Sequence, residues 1–186
     1  MNNRKVYISG EIVPEVDAKI SIFDSAVLLG DTVTESTRTF NFKPFKLDEH
    51  LERLYKSFKL TRIDPQMTIE EMKKVSLELL EINKDNYKAN EDCWLVHNIS
   101  RGHSITGGNP ALQVSKPTVM IYTQPMNLVL WAPFYTKGCH AVTPPTRMVP
   151  SQSLDARIKN RSRLFYTLAE IEAKLVDPEA QSVILD

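Results

Sequence analysis

The apolar residues change their spacing along the chain, and this change limits the fold more than any other feature. The opening segment KVYISGEIVP reads as two short strands around Ser9 and Gly10, and DTVTESTRTF reads as a further strand rich in β-branched residues. The segment DEHLERLYKSFK then takes helical spacing, with Asp48 as its predicted N-cap. The apolar stripe of this helix comprises Leu47, Leu51, Leu54 and Phe58.

A second helix and two more strands follow. The helix is predicted to begin at Thr68, where TIEE forms a capping box with Glu71. Its buried stripe is predicted to comprise Met72, Val75 and Leu79. The strands CWLVHNISRG and PTVMIYTQP are separated by SITGGNPALQ, whose two glycines and proline predict an exposed, mobile loop.

The last third of the chain predicts one more helix and the start of a strand. The helix covers SRLFYTLAEIEAKLVD and ends before Pro178, and SVILD begins the strand. The helix stripe comprises Leu164, Leu168, Ile171 and Leu175. A domain that starts near residue 137 is too short here to close a core. We therefore expect the chain to be the first part of a longer protein.

Composition excludes some classes of partner. The 23 basic residues balance the 23 acidic residues, so net charge does not favour binding to nucleic acid or to a membrane surface. Cys93 and Cys139 lack the spacing of a zinc site or a disulfide framework, which favours a reducing cytoplasm. The amino terminus lacks the apolar run of a signal peptide, and no segment is long enough to span a bilayer.

One cluster of cations stands out in DARIKNRSRLFY. Lys159 lies among Arg157, Arg161 and Arg163, five residues before the first apolar position of the third helix. A solvated surface is the ordinary explanation for such a cluster. However, like charges and the positive end of a helix both disfavour a charged lysine, and a lysine with a lowered pKa is what Schiff-base chemistry requires.

The segment from Asp155 onward, DARIKNRSRLFYTLAEIEAKLVDPEAQSVILD, resembles the active-lysine segment of the class IV, or fold type IV, pyridoxal-phosphate aminotransferases. This family includes branched-chain and D-amino acid aminotransferases and aminodeoxychorismate lyase. The segments ISIFDSAVLLGDTVTESTRTF and FKLDEHLERLYKSFKLTRI resemble its opening strand-and-helix unit. The resemblance spans most of the chain but only the first part of a family-length protein.

The resemblance implies a two-domain fold of mixed α/β (α+β) class. Residues 1–130 would form an amino-terminal α/β domain, residues 131–136 a linker, and residues 137–186 the first, incomplete part of the cofactor-binding domain. Family members with this fold are expected to be homodimers. The glutamate that protonates the pyridine nitrogen and the remaining phosphate-binding loop are expected beyond Asp186.

The resemblance also implies roles for two residues that would hold pyridoxal 5'-phosphate. Lys159 would be the catalytic lysine that holds the cofactor as a Schiff base and moves the substrate α-proton. Arg53 would bind the cofactor phosphate, for which a planar fork of N–H donors is well suited. Arg53 lies off the apolar stripe of its helix, a position that permits this role but is also typical of plain surface arginines. His50 lies nearer the stripe and is interpreted as a packing residue.

Substrate contacts are implied at the end of a strand, in SRGHS. Arg101 and His103 resemble the trap for the substrate α-carboxylate in D-amino acid aminotransferase; the alternative is an arginine that caps a strand end. Arg38 is a further candidate, although alternation puts Thr34 and Arg38 on one face of their strand and Glu35 on the other, so the face that lines the site stays open. His97 shares a face with Arg101 and is either a site residue or structural.

Two leucines depart from the family pattern. Leu29 and Leu164 stand where relatives carry tyrosines, which argues against branched-chain specificity. We therefore predict a cytoplasmic transaminase of the D-alanine or related class, which moves an amino group from an amino acid to a 2-oxo acid. The alternatives are aminodeoxychorismate lyase, which eliminates pyruvate with the same lysine and cofactor, and a binding or regulatory remnant without catalysis.

Overall fold

A computed structural model describes residues 3–88, 91–104 and 116–186. The chain divides into two compact units, residues 1–126 with 158–161, and residues 127–157 with 162–186. The segment that contains Lys159 therefore belongs to the first unit. The boundaries predicted from the sequence, with a linker at 131–136, stay a prediction. Most of the loop SITGGNPALQ, from residue 105 onward, lies outside the described residues.

The first unit is built on a six-stranded antiparallel sheet in the order β2-β1-β6-β5-β3-β4. The strands are β1 (Lys5–Ile8), β2 (Glu11–Pro14), β3 (Thr32–Phe40), β4 (Lys43–Pro44), β5 (Cys93–Ser100) and β6 (Thr118–Pro125). The helices are α1 (Ser25–Leu29), α2 (Leu47–Thr61) and α3 (Ile69–Asn83), with 3-10 turns at Glu15–Asp17 and Lys84–Asn86. The predicted strands are therefore confirmed.

Alternation sorts the side chains of the sheet onto two faces. One face carries Val33, which pairs with Ile99, and these residues join the stripes of α2 and α3 in one hydrophobic cluster. The other face carries Thr34, which pairs with Asn98, and Asn98 pairs in turn with Met120. The two long helices cover the first face, and the second presents polar residues such as Thr34 and Asn98 beside the apolar Met120.

The two long helices form as predicted, with one error at a helix end. The stripe of α2 is buried, and Leu51 and Leu54 are both 0% exposed. However, the N-cap of α2 is Lys46, in the left-handed region with φ 54°, and Asp48 lies inside the first turn. Asp48 still favours the helix start through the dipole. In α3 the capping box of Thr68 and Glu71 is confirmed.

The second unit contains short elements around one longer helix. These elements are a 3-10 turn at Leu128–Leu130, α4 (Phe134–Lys137), β7 (Ala141–Val142), α5 (Leu164–Val176) and β8 (Gln181–Ser182). The strands β7 and β8 pair in parallel. The strand predicted over SVILD instead starts one residue earlier and spans two residues.

The helix α5 is confirmed, but its apolar stripe is not its buried face. Leu164, Leu168, Ile171 and Leu175 are exposed, whereas Ala169 and Ala173 are fully buried. The buried face therefore carries small side chains, which allow the helix to approach β7 and β8 closely. Among the described helices of both units, none is long and apolar enough to cross a membrane.

Candidate functional site

The segment 158–161 extends the sheet along the free edge of β3. The Thr34 amide donates to the Lys159 carbonyl at 2.8 Å, and the Arg161 amide donates to the Thr32 carbonyl at 2.9 Å. Val33 and Asn160 form an antiparallel bridge between them. Lys159 therefore lies beside this isolated bridge, five residues before α5, in a tight turn where the Asn160 amide also donates to the Ile158 carbonyl at 3.0 Å. Lys159 is thus outside the helix start predicted for it, and the dipole of α5, which acts only within the first turn, does not reach it.

This pairing assigns the side chains of the segment to a face of the sheet. Residues directly opposite each other in an antiparallel pair share a face. The bridge places Asn160 on the face of Val33, and Arg161 lies opposite Thr32 on the other face, which α2 and α3 do not cover.

Ser57 ties the Lys159 segment to the helix that carries Arg53. The Lys159 amide donates to Ser57 Oγ at 3.3 Å, and this hydroxyl donates to the Arg53 carbonyl at 3.1 Å. Ser57 is fully buried. These bonds link the backbone of Lys159 to the backbone of Arg53. The sequence gives little signal for this contact, since Ser57 looks like any small residue on a helix.

A buried carboxylate holds Arg53. Arg53 Nε and Nη2 donate to the two oxygens of Glu35, both at 2.7 Å, and His50 Nδ1 lies 3.1 Å from Glu35 Oε1. Glu35 is 0% exposed, whereas the Arg53 side chain is 52% exposed. Burial on its own raises the pKa of Glu35, but hydrogen bonds from Arg53, the Ser36 amide and His50 outweigh it and lower the pKa. Glu35 is therefore a carboxylate at neutral pH.

The arrangement suits an anion such as a phosphate. One edge of the guanidinium is held by Glu35 while the rest of the side chain reaches solvent, so Arg53 presents oriented donors. The interpretation of His50 as a packing residue missed its contact with Glu35. Its place three residues before Arg53, on the same helix face, is the signal that could have found it. No group of acidic, histidine or cysteine residues within the described chain could hold a metal ion.

His97 lies on the helix-covered face and is fully buried. Its Nε2 lies 2.8 Å from Ser76 Oγ. Burial lowers its pKa to about 4, so the imidazole is neutral at neutral pH. Of the two roles left open by the sequence, this position supports the structural one.

Arg101 is placed between three elements. Its Nε donates to Asp31 Oδ2 at 2.9 Å, and its Nη2 lies 3.4 Å from Asp31 Oδ1. Nη1 and Nη2 also donate to the carbonyls of Arg62 and Thr61, at 2.8 and 3.0 Å. These four contacts engage four of the five guanidinium donors. Arg101 thus follows the end of β5 and caps the carboxyl end of α2. This contact fits the alternative drawn from the sequence, in which Arg101 has a structural role at a strand end.

The other two candidates lie at different places on the first unit. The backbone of His103 forms an isolated antiparallel β-bridge with that of Asp24. The centre of the His103 ring lies 5.8 Å from the centre of the Phe23 ring. The guanidinium of Arg38 lies 3.7 Å from the centre of the Phe40 ring. Arg38 is four residues along β3 from Thr34, a distance of about 13 Å in an extended strand. Hydrogen bonds link the Lys159 backbone through Ser57 to the Arg53 backbone, and the Arg53 side chain to Glu35, whereas Arg38 lies outside this set of contacts.

Comparison with known families now decides the class of protein. The sequence model described as amino-transferase class IV matches residues 32–186. The chain belongs to this family. The family match confirms the resemblance drawn from the sequence, and the matched range contains Glu35, Arg53, Arg101 and Lys159.

Relatives of this class IV chain carry two kinds of name. A Methanocaldococcus jannaschii protein, whose name provisionally assigns it as a branched-chain-amino-acid aminotransferase, is 36% identical over 169 residues, 91% of this chain. A D-alanine aminotransferase from Staphylococcus epidermidis is 32% identical over 120 residues, which is 64% of this chain and 41% of the relative. The chain spans 55% of the length of the Methanocaldococcus protein.

Solved structures share the fold of the class IV chain. A branched-chain amino acid aminotransferase from the organism abbreviated T.th., crystallised with pyridoxamine 5'-phosphate, superposes with a TM-score of 0.82 at 22% identity. The match covers all of this chain and 60% of that one. The branched-chain enzyme of Escherichia coli gives a TM-score of 0.82 at 23% identity. These structures confirm the predicted fold class.

Proposed function

We propose that the chain contributes to a pyridoxal-phosphate-dependent transaminase, which moves an amino group from an amino acid to a 2-oxo acid. The observation that carries this proposal is the hydrogen-bonded path from the Lys159 amide through Ser57 to Arg53. This path supports the proposal because it links the backbone of the predicted cofactor lysine to the backbone of an arginine that can hold the cofactor phosphate. The T.th. enzyme was crystallised with pyridoxamine 5'-phosphate and with N-(5'-phosphopyridoxyl)-L-glutamate, which supports the choice of cofactor.

Three side chains divide the work of this site. Lys159 would hold the cofactor, and its amine is the group that would move the proton of the substrate α-carbon once the substrate has taken its place on the cofactor. Arg53 binds the phosphate, and Glu35 keeps the guanidinium in one orientation, so less side-chain entropy is lost when the phosphate binds. When bound, pyridoxal phosphate supplies the electron sink for the charge that develops at the substrate α-carbon.

Arg101, with His103 beside it, is proposed as the ligand of the substrate α-carboxylate, in the D-alanine class or a related one. In the observed arrangement Asp31 already occupies the fork of Arg101. The substrate carboxylate must therefore displace Asp31, or share the guanidinium with it. Arg38 is proposed as a more distant substrate contact. Assembly as a homodimer stays a prediction.

Dependence on a 2-oxo acid tests the reaction. The purified full chain is mixed with pyridoxal phosphate and an amino donor, with and without a 2-oxo acid acceptor. A transaminase gives sustained turnover only when the acceptor is present, whereas a lyase releases pyruvate without one. Lys159→Arg keeps the positive charge but removes the reactive amine, so this variant must lose turnover. Turnover without an acceptor, or unchanged turnover in Lys159→Arg, would contradict the proposal.

A further inference from the structure

The segment that carries Lys159 makes a short return to the first unit. Residues 158–161 belong to this unit, whereas the residues on either side of them in the chain belong to the second. The Lys159 carbonyl and the Arg161 amide are bonded to the backbone of β3. Because so short a segment is held by few contacts, its other backbone hydrogen bonds matter for the point from which the Lys159 side chain extends.

The Lys159 amide differs from its neighbours in the kind of group to which it donates. The Asn160 amide donates to the Ile158 carbonyl at 3.0 Å, and the next amide donates to the backbone of β3. The Lys159 amide donates to a side chain, Ser57 Oγ, at 3.3 Å. Backbone carbonyls are present in any sequence. Of these three bonds, the bond of the Lys159 amide is therefore the one that depends on a particular side chain.

The hydroxyl of Ser57 is oriented to accept this bond. Its single proton is donated to the Arg53 carbonyl at 3.1 Å, the usual bond of a helical serine to the carbonyl four residues earlier. With the proton directed there, Ser57 Oγ meets the Lys159 amide as an acceptor. Ser57 is fully buried, so solvent does not compete for the hydroxyl.

We propose that Ser57 is a positioning residue for the Schiff-base lysine. By accepting the bond of the Lys159 amide, its hydroxyl holds the lysine backbone against the turn of α2 that carries Arg53, and so places the amine for reaction with the aldehyde of pyridoxal phosphate. In this reaction the lysine nitrogen bonds to the aldehyde carbon and one water is released. The inference rests on the proposed transaminase function.

The hydroxyl can be removed without disturbing the phosphate contact. Ser57→Ala removes the acceptor of the Lys159 amide and leaves the Arg53 side chain and its bonds to Glu35 in place. The Arg53 carbonyl keeps its bond from the amide four residues later in the helix. The change should therefore weaken the reaction of the lysine with an aldehyde and leave phosphate binding nearly unchanged.

Two cofactor forms separate these effects. The cofactor-free chain is titrated with pyridoxal phosphate, followed by Schiff-base absorbance, and with pyridoxamine 5'-phosphate, which lacks the aldehyde, followed by fluorescence. We expect Ser57→Ala to weaken the apparent affinity for pyridoxal phosphate about threefold to tenfold, as for one lost hydrogen bond, and to change the affinity for pyridoxamine 5'-phosphate little. Ser57→Cys offers a weaker acceptor of similar size and should give an intermediate loss.

Ser76→Ala is the matched control. Ser76 is also fully buried in a long helix, donates to the carbonyl four residues earlier, that of Met72, and contacts His97. This variant should leave the affinities for both cofactor forms unchanged, and urea unfolding compares its stability with that of Ser57→Ala. Equal losses for both cofactor forms in the Ser57 variants, or no loss for pyridoxal phosphate, would overturn the inference.

The titrations need no amino acid substrate, so they separate this inference from the transaminase proposal. A selective loss for pyridoxal phosphate in Ser57→Ala, in a chain that does not transaminate, would keep the role of Ser57 and remove the proposed function. Transamination with an unchanged Schiff base in Ser57→Ala would remove the role of Ser57 and keep the proposed function. Absence of Schiff-base absorbance in the unmodified chain would overturn both.

Discussion

At the residue scale, the contact between Glu35 and Arg53 combines a fully buried carboxylate with a half-exposed guanidinium. We predict that Glu35→Gln weakens the binding of pyridoxal phosphate about tenfold, because the neutral amide holds the guanidinium less firmly. The binding of pyridoxal, which lacks the phosphate, should change much less. Fluorescence titration of the cofactor-free chain with both compounds measures the two affinities.

Two further variants make this comparison specific. Glu52→Gln is the matched control, since Glu52 is exposed on the same helix and pairs with Lys56. Arg53→Ala should reproduce the phosphate-specific loss and exceed it. An equal loss of affinity for pyridoxal and pyridoxal phosphate in Glu35→Gln would show that Glu35 supports the fold instead. No phosphate-specific loss in Arg53→Ala would remove Arg53 from the site.

His97 predicts how stability depends on pH. Burial lowers its pKa from 6.5 to about 4, so the unfolded chain takes up a proton at pH values where the folded chain does not. Its contribution to the free energy of unfolding is therefore complete above about pH 6.5 and decreases as the pH falls toward 4. The loss amounts to about 3 kcal/mol over this window.

Urea unfolding between pH 4.5 and 7 measures this dependence. In His97→Gln the free energy of unfolding should depend less on pH, because the replaced side chain does not titrate. His140→Gln is the control, since His140 is exposed and pairs with Asp177. An unchanged slope in His97→Gln would contradict the effect assigned to burial of the imidazole.

At the element scale, Arg101 joins the end of β5 to Asp31 and to the last carbonyls of α2. We predict that Arg101→Ala lowers the free energy of unfolding by about 1.5 to 3 kcal/mol, because charged hydrogen bonds are lost and Asp31 is left unpaired. If the substrate carboxylate also binds Arg101, kcat/KM should fall further for amino acids than for amines without a carboxylate.

The two measurements on Arg101→Ala separate its two roles. Urea unfolding reports the contacts between elements, and kinetics with paired amino acid and amine substrates report the carboxylate. Unchanged stability would contradict the role between elements. Equal losses of kcat/KM for both kinds of substrate would assign Arg101 to the fold alone.

Local patterns predicted the elements of the first unit well. The stripe of α2 and the capping box of α3 are confirmed because they depend on residues within a few positions of each other. The apolar stripe of α5 is exposed, since periodicity identifies an apolar face without showing which face meets a partner. Ala169 and Ala173 pack there because small side chains permit close approach.

The site depends on contacts that local patterns do not encode. Alternation in β3 separates Glu35 from Thr34, but it cannot show that α2 covers the face of Glu35. The bridge between Val33 and Asn160 joins residues more than a hundred positions apart. Lys159 was identified by family resemblance, and its place on the edge of β3 required the structure.

At the scale of the whole molecule, the proposed site residues Lys159, Ser57, Arg53 and Glu35 all belong to the first unit. This unit is folded around one hydrophobic cluster between the sheet and its two long helices. The family match extends from residue 32 through both units, and the chain spans 60% of the T.th. enzyme. The central claim is that Lys159 is the lysine that holds the cofactor.

Borohydride reduction tests this claim most directly. The full chain is incubated with pyridoxal phosphate, reduced with borohydride and digested, and the labelled peptide is identified by mass spectrometry. We predict a single label on Lys159, which disappears in Lys159→Arg and is retained in Lys56→Arg, a change at an exposed lysine on α2. A label on another lysine, or no label on the unmodified chain, would contradict the assignment of Lys159.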